Sequence, residues 1–330
     1  MNNYKYLLIS SAILFASCQT KPYKTIGSTE RIDPSLDQLI TADAKLEIIA
    51  EGFEWSEGPV WIENQKTLLF SDVPKNTVYQ WTEEKGTSVY LTPSGYTGSV
   101  ARGGEPGSNG LLLFNNQLVL CQHGDRRLAV MESSLDKPLA QFKTVGGSFN
   151  GKRFNSPNDA VADSKGNFYV TDPPYGLEKN MDDPAKETPY QGVYKINSKG
   201  KTFLLVDSLT RPNGIALSPD EKFLFVANSD PAKAIWYRYE LTDSTATNGK
   251  IFYDVTPLAA TEKGLPDGMK IDKSGNIFAS GPGGLFIFNN EGNLIGRVKI
   301  PVATANCALS ADEKTLYITS DMYVLRLKMR

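Results

Sequence analysis

Six short polar residues recur along the chain, each standing just before an apolar, strand-like run: Glu57, Asn109, Asn158, Asn213, Asp267 and Asn306, separated by 52, 49, 55, 54 and 39 residues. A second strand-like run follows each one after a tight turn, as in Thr67–Asp72, Asn167–Asp172 and Thr315–Asp321. The turns carry pairs such as Lys165-Gly166, Asp220-Glu221, Ser274-Gly275 and Asp312-Glu313, which read as hairpins between β-branched and aromatic stretches. A period near 50 residues with this patterning predicts an all-β fold, a six-bladed β-propeller. The last repeat has room for only three strands, so residues 45–50 are expected to supply its fourth and close the disc. Closure in this way removes open sheet edges.

The topology of a hairpin puts its two ends on one side. Asp72, His123, Asp172, Asn228 and Ser229 are therefore expected around the mouth into which the six ring positions point. Two long segments belong to the same face, Thr92–Ser108 and Tyr175–Gln191, and read as its walls. The bland alternative for Asn-Gly and Asp-Gly is turn chemistry alone. Glu57 is not a turn residue, however, and Asn158 is followed by Asp159, so the shared register needs another cause.

Ahead of the repeats, Leu7–Ala16 is apolar but too short to span a bilayer, and it ends in Ala16-Ser17-Cys18. This pattern resembles a bacterial lipoprotein signal. The expected organisation is a signal peptide over 1–17, a lipid-anchored tether over 18–44 with the lipid on Cys18, and a catalytic propeller over 45–330. The corresponding location is the cell envelope, as an exported lipoprotein. The net charge is −2 with no basic block, which gives no reason to expect a nucleic-acid partner. Cys121 and Cys307 lie in different repeats and read as buried free thiols, and the protein is expected to be a monomer.

With one histidine in 330 residues, a nitrogen- and sulfur-based zinc site is not the natural reading. The ring instead offers carboxylate and amide oxygens. Glu57, Asn158, Asn213 and Asp267 are the candidate ligands of a divalent cation such as Ca²⁺, Mg²⁺ or Mn²⁺. Four protein ligands leave coordination positions for water and substrate.

Trp55–Trp61, Arg153–Asp159, Thr171–Gly176, Arg211–Ala216 and Pro266–Asp272 together resemble the regucalcin/gluconolactonase family, and Cys121–Arg127 is similar to its bacterial gluconolactonase branch. The resemblance implies a six-bladed propeller with a divalent metal on the same four residues. It also implies hydrolysis of sugar lactones, with the Asp matching Asp267 as both ligand and general base. One motif departs from the family pattern: Ser156 stands two residues before Asn158, where regucalcin has an Arg, and Arg153 lies five before. Arg153 is thus a displaced candidate for a substrate contact. His123 is the rival base or the acid for the leaving alkoxide, and Asn109 and Asp172 are candidate contacts to sugar hydroxyls. Asn306 reads as the most structural ring member. No Gly-x-Ser-x-Gly element accompanies His123, which argues against a serine mechanism. The alternative to a lactone hydrolase is a non-catalytic lipoprotein propeller that binds a sugar acid or a protein through the same face.

Overall fold

The computed structural model describes residues 22–330, so the signal peptide and Cys18 lie outside the described residues. Six antiparallel sheets of four or five strands follow one another along the described residues, with a two-stranded hairpin at Ser148–Arg153 between the second and third. Blade 1 runs from Ser56 to Leu91, blade 2 from Ser108 to Gly146 and blade 3 from Ala160 to Val206. Blade 4 runs from Pro212 to Asp254, blade 5 from Met269 to Lys299 and blade 6 from Asn306 to Lys328. The first strand of each blade contacts the first strand of the next, and Asn306–Leu309 closes the ring on Ser56–Ile62.

The strand runs are almost continuously apolar because both faces of each blade are covered. Successive side chains point to opposite faces. Leu69 therefore packs toward blade 2, while Leu68 and Phe70 pack toward blade 6. In the same way Tyr169 joins the layer shared with blade 4, and Phe168 and Val170 join the layer shared with blade 2. Six apolar clusters result, one between each pair of neighbouring blades. The hairpin between the first two strands of blade 2 turns at Asn115 and Asn116 with φ of 49° and 60°, the left-handed pair that a tight hairpin turn requires.

Closure follows the expected route. Leu46–Glu51 pairs antiparallel with Tyr323–Lys328 and becomes the outer strand of blade 6. The expected tether does not: from residue 22 onward the segment before it is part of the fold. Ser28–Arg31 pairs with Leu294–Lys299 as a fifth strand on blade 5. A short 3₁₀ turn over Pro34–Gln38, capped by Asp33, then buries Leu36 and, just beyond it, Ile40 in the layer between blades 5 and 6. The polar composition of this stretch concealed two isolated apolar anchors. Cys121 and Cys307 are free and buried. Among the described residues no helix is long and apolar enough to cross a membrane.

Because Leu36 is 0 % exposed in this layer, Leu36→Ala should lower unfolding stability by about 2–5 kcal/mol. Chemical denaturation of the two proteins measures it, and an unchanged midpoint would mean that the segment is dispensable.

Candidate functional site

The ring positions reach the axis through a local irregularity. In blades 1, 2 and 4 the pairing between the first two strands shifts register at Glu57/Val60, Ser108/Leu111 and Pro212/Ile215. Such bulges re-aim side chains, here toward the channel. The following glycine is required by close approach rather than by a turn. A Cβ on Gly58 would lie 2.0 Å from the carbonyl oxygen of Asn109, and one on Gly214 would lie 2.1 Å from that of Asp267. The backbone of each ring residue is tied to its neighbours. Ser71 Oγ donates to the Asn109 carbonyl at 2.9 Å, Thr171 Oγ1 to that of Asn213 at 2.6 Å, and Gly110 N to that of Asn158 at 2.8 Å.

Glu57, Asn109, Asn158, Asn213 and Asp267 converge on one cavity of about 440 Å³ at the mouth. Trp55, Tyr175 and Leu265 add apolar wall, and Glu105 and Glu262 add carboxylates. The long segments thus serve as walls, contributing Glu105 and Tyr175. Asn213 Nδ2 donates to Ser229 Oγ at 3.0 Å, and Ser229 donates in turn to the Pro266 carbonyl, leaving the side-chain Oδ1 of Asn213 free. The Oδ1 atoms of Asn109, Asn213 and Asp267 are buried without any hydrogen-bond partner, an arrangement that is unfavourable unless something occupies the site.

Electrostatics point the same way. Burial, with Asp159 and Glu105 adding repulsion, pushes the Glu57 carboxyl up to about 8. Burial and then the charges of Glu57, Asp159 and Glu105 hold Asp267 well above the usual carboxylate range. A cluster of unpartnered oxygens and two carboxyls that resist ionisation together is what a hard cation would relieve. The residues present therefore fit an oxygen-liganded divalent ion. The donors are amides as much as acids, and among the described residues no group of three His, Cys, Asp or Glu side chains gathers as a metal centre.

Asn306 does not line this cavity. Its amide bridges Glu57 Oε2 at 3.5 Å and Asp159 Oδ2 at 3.4 Å, and its Oδ1 accepts from Lys270 Nζ at 3.2 Å. The expectation that all six ring positions point into the mouth thus fails at Asn306, the member read as most structural, because its side chain is taken up by Glu57, Asp159 and Lys270. Asp159 and Lys270, 3.9 Å apart, were not anticipated. The signal was present in Asp159, the acid that stands where Asn109 and Asn213 are followed by Gly.

Three candidates are repositioned. Asp172 does not face the cavity. Its carboxylate accepts the backbone N–H groups of Asn155 at 2.7 Å and Ser156 at 2.8 Å, holding the loop that presents Asn158. Burial nevertheless pushes its carboxyl up to about 7. Asp72 in blade 1 and Asn228 in blade 4 do the same for Glu54, Trp55 and Arg211, so this rim position is a loop anchor. Arg153 lies on the outer surface, where its guanidinium donates to the Asp125 carbonyl at 3.2 Å and lines a different cavity. The three extra residues between Arg153 and Asn158 carry it away from the axis. His123 is fully buried behind the wall, with Nδ1 3.4 Å from Glu105 Oε2, so Glu105 rather than His123 faces the cavity. Glu105 was hidden in the Gly- and Pro-rich segment, which has no periodicity to mark it.

Residues 55–322 match the family described as "SMP-30/Gluconolactonase/LRE-like region". The chain is 38 % identical over 318 residues to a gluconolactonase of Zymomonas mobilis, covering 93 % of this chain and 87 % of that one. Its structure is similar to that of a gluconolactonase from Xanthomonas campestris, with TM-score 0.79 and 26 % identity, covering 94 % of this chain and 99 % of the other. A calcium-binding protein, regucalcin, from Agrobacterium tumefaciens shares the fold, with TM-score 0.65 and 18 % identity over 85 % of this chain and 92 % of that one.

Removing the Asp172 carboxylate strands two buried N–H groups, each costing about 1–3 kcal/mol. Asp172→Ala should therefore lower the denaturation midpoint markedly. A variant as stable as the parent would show that the loop does not need this anchor.

Proposed function

Because the chain belongs to the SMP-30/gluconolactonase/LRE-like family, we propose that it is a lactone hydrolase that opens sugar lactones in the central cavity. The observation that carries this reading is the set of buried, unpartnered oxygens of Asn109, Asn213 and Asp267 beside two carboxyls held high. The relatedness to the Zymomonas gluconolactonase supports the substrate class.

Glu57, Asn158, Asn213 and Asp267 would hold the divalent cation, Ca²⁺ in first place. When bound, such an ion supplies a Lewis acid that draws charge from a carbonyl oxygen. The protein's own residues do the rest. Trp55 and Tyr175 exclude bulk water and face the sugar ring. Asn109 Oδ1 is free to accept from a sugar hydroxyl. Asp267 takes the proton of the attacking water as the C–O bond forms, and returns it to the ring oxygen as the lactone C–O bond breaks. Its elevated affinity for protons makes it an effective base once ionised. Glu105 presents a second carboxyl to the cavity, backed by His123.

The direct test is acid release from a panel of aldonolactones with added calcium, magnesium, manganese or zinc, and with chelator. Hydrolysis should need a divalent ion, and Asp267→Asn should lower kcat by about 10²–10⁴-fold while keeping the fold. Full turnover in chelator, or in that variant, would overturn the assignment. Cation affinity should also depend on pH. Glu57, raised to about 8, keeps its proton at neutral pH without the ion and must release it to become a ligand. Calorimetric Kd for calcium should therefore tighten as pH rises toward 8, with protons released on binding; a pH-independent Kd would remove Glu57 from the ligand set.

We also infer export with a lipid on Cys18, supported by the apolar run and small residues before it. Cys18→Ser should move the protein from the membrane to the soluble fraction, and continued membrane association would refute it.

A further inference from the structure

On the far side of the wall formed by His123, Glu105 and Tyr175 lies a second cavity of about 640 Å³, between the segments Thr92–Ser108 and Tyr175–Gln191. Four guanidinium groups line it: Arg102, Arg126, Arg127 and Arg153. Only Arg127 has a close carboxylate partner, Asp125 at 2.9 Å. The other three direct their N–H groups mainly to neutral carbonyls. Arg126 donates to Phe154, Asn155 and Ala185, Arg102 to Gly124 and Gly176, and Arg153 to Asp125. Two of them make longer ion pairs, Arg126 with Glu187 at 3.8 Å and Arg102 with Glu178 at 3.9 Å.

Asp125, Glu178 and Asp183 also line the cavity, and each of them, like Glu187 nearby, accepts further hydrogen bonds. Asp125 accepts from the Thr97 backbone and hydroxyl, Asp183 from the backbone of Lys179 and Ala185, Glu178 from that of Gly103, and Glu187 from that of Arg153. Arg126 is only 5 % exposed, and its Nη2 has no partner; Arg102 Nε has none either. Unpartnered N–H groups on buried guanidiniums are unfavourable unless something occupies the site. Guanidinium forks match the planar and tetrahedral oxyanions of carboxylate and phosphate.

We propose that this cavity binds a small oxyanion: the phosphate or carboxylate group of a sugar derivative, or free phosphate. The site is separate from the central cavity and does not depend on the lactone reading. The test is calorimetry at low ionic strength on the protein from residue 19 onward. Inorganic phosphate, gluconate 6-phosphate and gluconate are titrated in turn, and Arg153→Gln and Arg102→Gln are compared with the parent. Arg153 is at the surface, so its replacement should leave the fold intact. We expect saturable phosphate binding that weakens about 10-fold or more in at least one variant, as loss of a charge-assisted contact predicts. Tighter binding of gluconate 6-phosphate than of phosphate would identify a sugar phosphate as the ligand. Equal binding of the two would identify free phosphate, and loss of gluconate binding in the variants would identify a carboxylate. Absence of saturable binding by all three anions, or undiminished affinity in both variants, would overturn the proposal.

Discussion

Everything at the centre of this propeller depends on how closely six chain segments approach one axis. Backbone and hydroxyl groups of one blade satisfy the ring carbonyls of the next, as Gly110 does for Asn158 and Thr171 for Asn213. With the main chain satisfied sideways, the ring side chains need not stabilise the fold and are free to face the channel. The same crowding explains the Gly after Glu57 and Asn213, since a neighbouring carbonyl stands where a Cβ would be. A motif that reads as turn chemistry in isolation is a spacing rule between blades.

The consequence is electrostatic. Oxygen donors gather in a space with little water, and their carboxyls are driven toward the protonated state by burial and by each other. Asn306 and Lys270 offset part of the burial that raises the Asp159 carboxyl. At the mouth the Oδ1 atoms of Asn109, Asn213 and Asp267 stay unpartnered. The molecule thus contains one partly compensated and one uncompensated group of oxygens on a single axis, and the second is where chemistry is open.

The repeat, the blade number, the closing strand and the convergence of Glu57, Asn109, Asn158, Asn213 and Asp267 were legible in the sequence, because all follow from periodicity and hairpin topology. What escaped is tertiary. Asp172 is correctly placed at the rim, yet topology cannot say whether a rim carboxylate turns inward to a ligand or sideways to Asn155 and Ser156. Arg153 is three residues too far from Asn158 to reach the axis, and Glu105 lies in a segment without pattern. Leu36 and Ile40 are single anchors in a polar stretch and give no period to detect.

The segment before the closing strand has a mechanical meaning. Ser28–Arg31 is fastened to blade 5 and Leu46–Glu51 to blade 6, so the start of the chain straddles the seam where the disc closes. A pull on the N-terminus would first load the Thr25–Glu47 bridge and the bonds of Lys24 and Ile26 to Ile48 and Leu46, so force reaches the closing strand before it reaches the Ser28–Arg31 pairing.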